Sequence, residues 1–381
     1  MMVLGKMSIR QLLDDDLSSL VLAEDSLLDP KNDDIEVPHD PRFNMAKRME
    51  TFRERAAHSY LDILHTLCQN RCRTRRDLTH IIIDWENLQL DAEELDQELR
   101  EFTGEEPVLD HSISPEATYS FPLSSWAYFY KLRQMEWIVQ MGFELEVYQV
   151  DELAGMYWYL QHLTQTRIRH TERIHGFTMR RFTASGQAQS MPSQKDLGFG
   201  RALSYINYSM LEATATQGFA DALNCLYTVL NRRKLIPAPP RPYSDDALRY
   251  ELRMKPFLPI GLPEFLPYQQ FQLAVSQSEE STADLLTFAA EAVARARKDF
   301  ELLSKLDGNT ARCLGSEEAW KKNVKDCLRA CISASINISV IKKALEKADA
   351  AGKEVEVRVE VPPVGEGYHD WWIVPKVVVL K

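Results

Sequence analysis

Several kinds of chemistry are excluded by what this chain does not contain. No apolar run approaches the roughly 18 residues that read as a membrane span, so no membrane is expected among its partners. The opening M-M-V-L-G-K-M-S-I-R is too short in its apolar part, and turns acidic too soon, to read as a secretory signal. Six cysteines in 381 residues do not make a disulfide framework. Cys68/Cys72 and Cys327/Cys331 are spaced to share a helix face, the first pair with His65. The tight loop spacing of zinc sites is missing, and cysteine as a small buried hydrophobe accounts for both pairs. There is no G-x-x-x-x-G-K-[ST], no H-E-x-x-H and no G-x-S-x-G. Gly198-Phe199-Gly200 is a lone G-x-G without the preceding strand a dinucleotide site requires. Also missing is the glutamine- or arginine-led glycine loop whose amides hold the pyrophosphate of an acyl-CoA at a helix start. Positive charge is short as well: 45 Lys and Arg against 56 Asp and Glu give a net charge of −11. A surface that wraps nucleic acid as a whole is therefore not expected. A soluble, cytoplasmic protein is the default.

What the chain does have is a dense aromatic centre, from Trp126 to Leu163. Trp126, Phe129, Tyr130, Arg133, Trp137 and Ile138 recur at helical spacing, and Gly142 is expected to break that helix. Phe143, Leu145 and Val147 then alternate with Glu144 and Glu146, which predicts a short extended segment ending at Tyr148. Leu153, Met156, Tyr157, Leu160 and Leu163 restart the helical period. Around this centre the chain is mainly α, a multi-helix scaffold. Residues 1–44 are acidic, with Asp14-Asp15-Asp16 and Asp33-Asp34, and read as a disordered arm. Residues 45–350 read as the helical scaffold domain, with loops near 104–125, 183–196 and 235–270. Its first two helices, over 45–72 and 78–99, are expected to be joined by a basic turn at Arg73 to Arg76. The loop at 235–270 is dense in proline, from Pro237 to Pro267, so an extended crossing over the surface is expected. Ser281 with Asp284 signals a helix start. Residues 351–381 change period: Val355, Val357, Val359 and Val361 alternate with charged residues, and Trp371 to Leu380 offers a second strand, giving a short C-terminal β-hairpin. No internal sequence repeat is evident.

Candidate chemistry is sparse. Glu144 and Glu146 are the paired carboxylates in an aromatic setting. They could face a cleft and accept an amine or amide proton, or form the solvated side of a half-buried strand; spacing alone favours the second. Tyr368-His369-Asp370 has a histidine beside an acid but no nucleophile nearby in sequence, so a turn histidine is the simpler account. The basic clusters at Arg71, Arg73, Arg75 and Arg76, at Arg167 to Arg181, and at Arg232 to Lys234 read as solvated faces or as contacts to rRNA.

G-F-E-L-E-V-Y from Gly142 to Tyr148, then Glu152, then Y-W-Y-L from Tyr157 to Leu160, resembles the signature of the large auxiliary subunit of the NatC N-terminal acetyltransferase complex. The similarity continues in order. It takes in the basic turn ahead of the centre, Arg249-Tyr250-Glu251 with Arg253, Pro256 and Phe257, and His369 with Trp371 to Leu380. Met254 stands where the family usually has phenylalanine and Gln149 where serine is common. The family's long N-terminal half has only a faint echo at Leu28 to Asp33, so the expectation is either a truncated sequence or a divergent short member. The resemblance implies a non-catalytic scaffold that holds a GNAT-type catalytic subunit and a small Sm-like subunit, with acetyl-CoA bound by the catalytic partner and no cofactor of its own. It implies acetylation of nascent chains that begin with methionine and a hydrophobic residue, at the ribosome. On that reading Phe143, Glu144, Glu146, Tyr148, Tyr157 and Trp158 are candidates for the partner and substrate junction. Arg71, Arg73, Arg75 and Arg76 are candidates for ribosome contact. A helical adaptor for a different complex is the alternative.

Overall fold

The computed structural model describes residues 41–67, 71–103, 122–144, 148–184, 194–236, 245–255, 258, 266–276, 279–306 and 317–379, apart from single positions 354, 356, 364 and 370. Most of the expected acidic arm, the 104–121 loop and much of the proline-dense span lie outside these residues. The helices are α1 (Pro41–Leu67), α2 (Arg71–Thr103), α3 (Pro122–Glu144), α4 (Leu153–Ala184), α5 (Gln194–Arg232), α6 (Asp246–Met254), α7 (Tyr268–Ser276), α8 (Thr282–Leu303) and α9 (Glu317–Ala351). Strands β1 (Val357–Glu360) and β2 (Lys376–Val379) pair antiparallel, with Val357 opposite Val379 and Glu360 opposite Lys376. The fold is mainly α with a short hairpin, as the patterning predicts.

The long helices pack in series, each antiparallel to the one before. Arg48 bonds Glu98 and Arg55 bonds Asp91, which runs α1 against α2. Lys131 with Glu86 at 2.7 Å and the amide of Ser124 with Asp96 at 2.8 Å do the same for α2 and α3. Asn224 and Asn231 donate to the carbonyls of Ala154 and Asp151, both at 2.9 Å, and align α5 with α4. Lys342 donates to Thr287 at 3.2 Å between α9 and α8. One core is continuous from Ile82 through α3 to α9 and on to Trp372, Ile373 and Val374. An aromatic cluster of Phe52, Trp85, Trp126 and Tyr130 joins α1, α2 and α3.

Several boundaries differ from the sequence expectations, each for a physical reason. Helix α3 does not stop at Gly142 but runs to Glu144, so Phe143 and Glu144 are helical rather than extended. A glycine costs a helix about 1 kcal/mol, and α3 is buried nearly all round, which returns far more. Its start at Pro122, inside the expected loop, is fixed from a distance. Proline suits the first helical position, and the Asp96 carboxylate of α2 accepts from the amides of Leu123 (3.2 Å) and Ser124 (2.8 Å). Arg71, Arg73, Arg75 and Arg76 form no turn; they open α2. The proline-dense span carries α6 and α7, with Pro267 just ahead of α7 accepting from the amide of Phe271 at 2.9 Å. Ser281 caps α8 as its position predicts, accepting from the amide of Asp284 at 3.1 Å.

Buried charge ties the middle of the array together. Arg167, expected within a basic surface cluster, is fully buried on α4. Its guanidinium meets Glu136 of α3 at 2.7 Å and Glu212 of α5 at 2.8 Å. Arg133 reaches Glu212 at 3.1 Å and Glu136 at 3.4 Å. Burial alone would raise the Glu212 carboxyl, but Arg133 and Arg167 hold it down at about 2. Nearby, His170 is buried with Nε2 at 2.8 Å from the carbonyl of Ser125. Burial pushes its pKa down to about 4.

The tail is held by side chains that read its backbone. The Tyr227 hydroxyl donates to the carbonyl of Ile373 at 2.9 Å, and the Tyr157 hydroxyl accepts from the amide of Ile373 at 2.8 Å. Asn337 of α9 donates to the carbonyl of Pro375 at 2.7 Å and accepts from the amide of Val377 at 3.3 Å. Trp372 stacks on Tyr157 with ring centroids 6.0 Å apart. The second strand therefore begins at Lys376 rather than Trp371, because residues 372–375 are occupied by contacts with helices.

Two expectations follow. Both Glu212 and His170 have folded pKa values below their ordinary ones, so the unfolded chain binds more protons and stability falls as pH falls. The His170 part is lost between about 6.5 and 4 and the Glu212 part between about 4.5 and 2. Urea midpoints measured across that range should drop in both windows, and His170→Gln should flatten the upper one; midpoints constant from pH 6.5 to 4 would contradict the burial of His170 as neutral. Tyr157→Phe leaves the Ile373 amide without its acceptor, at a cost of about 1–3 kcal/mol. Faster amide exchange confined to residues 371–379 is the expected result, and unchanged exchange there would contradict it.

Candidate functional site

The signature stretch sits where three segments meet: the end of α3, a 3-10 turn at Val150–Glu152, and the start of α4. The turn is organised by one carboxylate. Glu152 accepts from the amide of Gln149 at 2.9 Å, from Arg249 at 2.9 Å, and from Arg253. Arg249 and Arg253 lie four apart, on one face of the short helix α6, so both guanidinium groups reach the same acid. Arg253 also lies over the Tyr148 ring, 4.6 Å from its centroid. Burial pushes the Tyr148 hydroxyl up to about 12, against the opposing pull of Arg253. The basic pair of the R-Y-E-x-R segment thus clamps α6 onto the entrance of α4.

Between the pair, Tyr250 turns the other way. Its hydroxyl lies 2.8 Å from that of Tyr159 and donates to the carbonyl of Leu266 at 2.8 Å. Its ring stacks on Phe271 of α7, centroids 4.5 Å apart. Phe271 in turn stacks on Tyr159 and meets Trp158 edge-on at 5.6 Å. The closeness of α7 depends on Gly155, where a Cβ would stand 2.8 Å from the Phe271 ring. These elements enclose a cavity of about 680 Å³, bordered by Asp151 and Glu152, Thr228 and Asn231, and Tyr250 and Gln272.

The candidates named from sequence fall into different places. Tyr157 and Trp158 are core residues, facing the tail and α7 respectively. Tyr148 is buried beneath Arg253. Phe143 and Glu144 end α3, their side chains outside the described residues, and Glu146 lies outside them altogether. The side chains of Arg71, Arg73, Arg75 and Arg76 are also outside them. Arg232 and Arg233 are not a free basic surface: Arg232 donates to the carbonyls of Glu280 and Ser276, and Arg233 makes a two-point bond with Asp349 at 3.1 and 3.0 Å. His369 is a turn histidine, accepting from the amide of Trp371 at 3.0 Å and lying 2.9 Å from Asn323. Cys327 and Cys331 are buried, and burial pushes the Cys331 thiol up to about 12. Among the described residues no group of three or more His, Cys, Asp or Glu side chains could hold a metal, and no helix is long and apolar enough to cross a membrane. The Glu152 clamp was not foreseen from sequence, since the acid lies about a hundred residues from its two arginines. The spacing of Arg249 and Arg253 on one face was the available signal.

The profile described as "NAA35-like, TPR repeats" matches residues 1–374, ahead of where the motif resemblance begins. The chain is similar to the NatC auxiliary subunit N-alpha-acetyltransferase 35 of Saccharomyces cerevisiae, 22% identical over 58% of this chain and 30% of that one. It is similar to the Drosophila melanogaster homologue at 24% identity over 62% and 32% of the two chains, and to the Homo sapiens protein at 23% over 59% and 30%. The matched region is thus about a third of those relatives' length. In fold it is similar to a chain in a crystal structure of the NatC complex bound to Arl3 peptide and CoA, with a TM-score of 0.64 and 19% identity. That match covers 87% of this chain and 48% of the other. By the extent of that profile and the order of its motifs, the chain belongs to the NAA35-like family of TPR-repeat proteins.

Proposed function

We propose that this protein is a non-catalytic auxiliary subunit of a NatC-type N-terminal acetyltransferase. It scaffolds a GNAT-type catalytic subunit and a small Sm-like subunit, and works in the cytoplasm on nascent chains that begin with methionine and a hydrophobic residue. The observation that carries this reading is the family match across residues 1–374. The shared fold over 87% of the chain supports it.

Acetyl-CoA is assigned to the catalytic partner. The cavity beside Glu152 does not suit a pyrophosphate: Asp151 and Glu152 bring carboxylates to its wall, Arg253 is engaged by Glu152, and Arg232 by backbone carbonyls. The junction with the catalytic subunit is placed at the end of α3 and the turn into α4. Phe143, Glu144, Glu146, Tyr148, Tyr157 and Trp158 are the residues assigned to it. Arg71, Arg73, Arg75 and Arg76, at the start of α2, are assigned to ribosome contact.

Affinity capture of the tagged chain from native extract, with mass spectrometry of what it retains, tests the assembly. Recovery of a GNAT-type subunit is expected. Recovery of a stable complex without one would favour a helical adaptor for another assembly. Reversing the charge of both Glu144 and Glu146 should reduce acetylation of a Met-Leu peptide by the reconstituted complex by about tenfold or more, in line with buried or rim charge pairs at interfaces. Unchanged assembly and activity would remove these two residues from the junction.

A further inference from the structure

Helix α9 is 35 residues long, and its buried and exposed faces differ sharply in chemistry. One side packs on α8 and the tail through Val324, Cys331, Ala334, Ile338, Ile341 and Leu345. The side opposite carries exposed residues at three-, four- or seven-residue steps. Lys322, Lys325 and Arg329 come first, then Ile332 and Ile336, then Lys343 and Lys347. Both isoleucines are large apolar side chains in contact with solvent, 43% and 59% exposed. No carboxylate lies on this row between Lys322 and Lys343; the exposed Glu346 stands beside Lys343 and Lys347 at its end. Asp326 sits to one side, where it pairs with Arg329 at 3.2 Å. From Arg329 to Lys343 is about 21 Å along the helix, at 1.5 Å per residue.

A row of cations interrupted at its middle by an apolar pair is the complement of an acidic amphipathic helix. We infer that the outer face of α9 is a docking surface for such a helix from another protein chain, with two apolar residues four apart seated on Ile332 and Ile336. Acids a turn or more beyond them on each side meet the flanking lysines and Arg329. This is the helix-on-apolar-surface mode of recognition, with charge setting register and direction. A phosphate backbone would engage the cations and leave the isoleucines unmatched. An anionic lipid surface calls for a broader apolar face with aromatic or leucine-rich content, which two isoleucines do not provide. The inference rests on residues of α9 alone, so it does not depend on the catalytic partner proposed above.

The test uses the full chain and a fluorescently labelled helical peptide carrying two leucines four residues apart with glutamates beyond them on both sides. Saturable binding that weakens with added salt is expected. Lys322→Glu/Lys325→Glu/Arg329→Glu and Ile332→Ser/Ile336→Ser should each lower the affinity at least about tenfold. All five positions are exposed, so circular dichroism should show unchanged helix content in both variants. No saturable binding would overturn the inference. So would binding of single-stranded RNA or phosphatidylserine vesicles that depends on the cations but is indifferent to the serine substitutions. Carbodiimide cross-links joining Lys325 to Asp14, Asp15 or Asp16 of the same molecule would instead assign the face to the chain's own acidic segment.

Discussion

A single buried guanidinium fixes the relative positions of three helices. Arg167 of α4 lies between Glu136 of α3 and Glu212 of α5, with Arg133 closing the group. Taking these charges out of water is costly, and a buried pair is often no more stabilising than well-packed apolar residues. What it supplies here is discrimination. Sliding α4 along either neighbour would leave an uncompensated charge in the core, a penalty of about 3–5 kcal/mol for a broken buried pair. Apolar helices alone pack in several registers of similar energy; these cannot. The start of α4, about four turns away, inherits that fixed position.

The residues that make the chain recognisable are chiefly the ones that hold it together. Tyr157 joins α4 to α5 and the tail by stacking and by its hydroxyl. Tyr159 shares a hydroxyl contact with Tyr250, and Arg249 and Arg253 meet on Glu152. The Y-W-Y-L and R-Y-E-x-R segments are two halves of one joint, by which a short helix from the proline-rich span is fastened to the array. A joint of this kind fixes the exposed segments around it.

How much could be read in advance depended on the range of the forces involved. The α1, α2, α4, α5, α8 and α9 patterns, the Ser281 cap and the alternating valines of β1 are local in sequence, and all were legible. What escaped was non-local. Pro122 begins a helix because Asp96 reaches its amides from α2. Gly142 stays helical because neighbours surround α3. Arg167 reads as surface charge until Glu136 and Glu212 are seen to lie against it. Prolines mark where chain direction changes but not that α6 and α7 form between them. The clamp on Glu152 illustrates the limit most clearly: each partner is visible in the sequence, and only folding shows that they are partners.

On the proposed function, the helical array is a support for a reaction performed by another subunit. The most direct measurement is acetyl transfer from labelled acetyl-CoA to a Met-Leu peptide, comparing this chain alone, the GNAT-type subunit alone and the two together. Transfer well above the catalytic subunit's own rate in the mixture, with none from this chain by itself, is the predicted result. Turnover by the isolated chain, or a mixture no faster than the catalytic subunit alone, would contradict it.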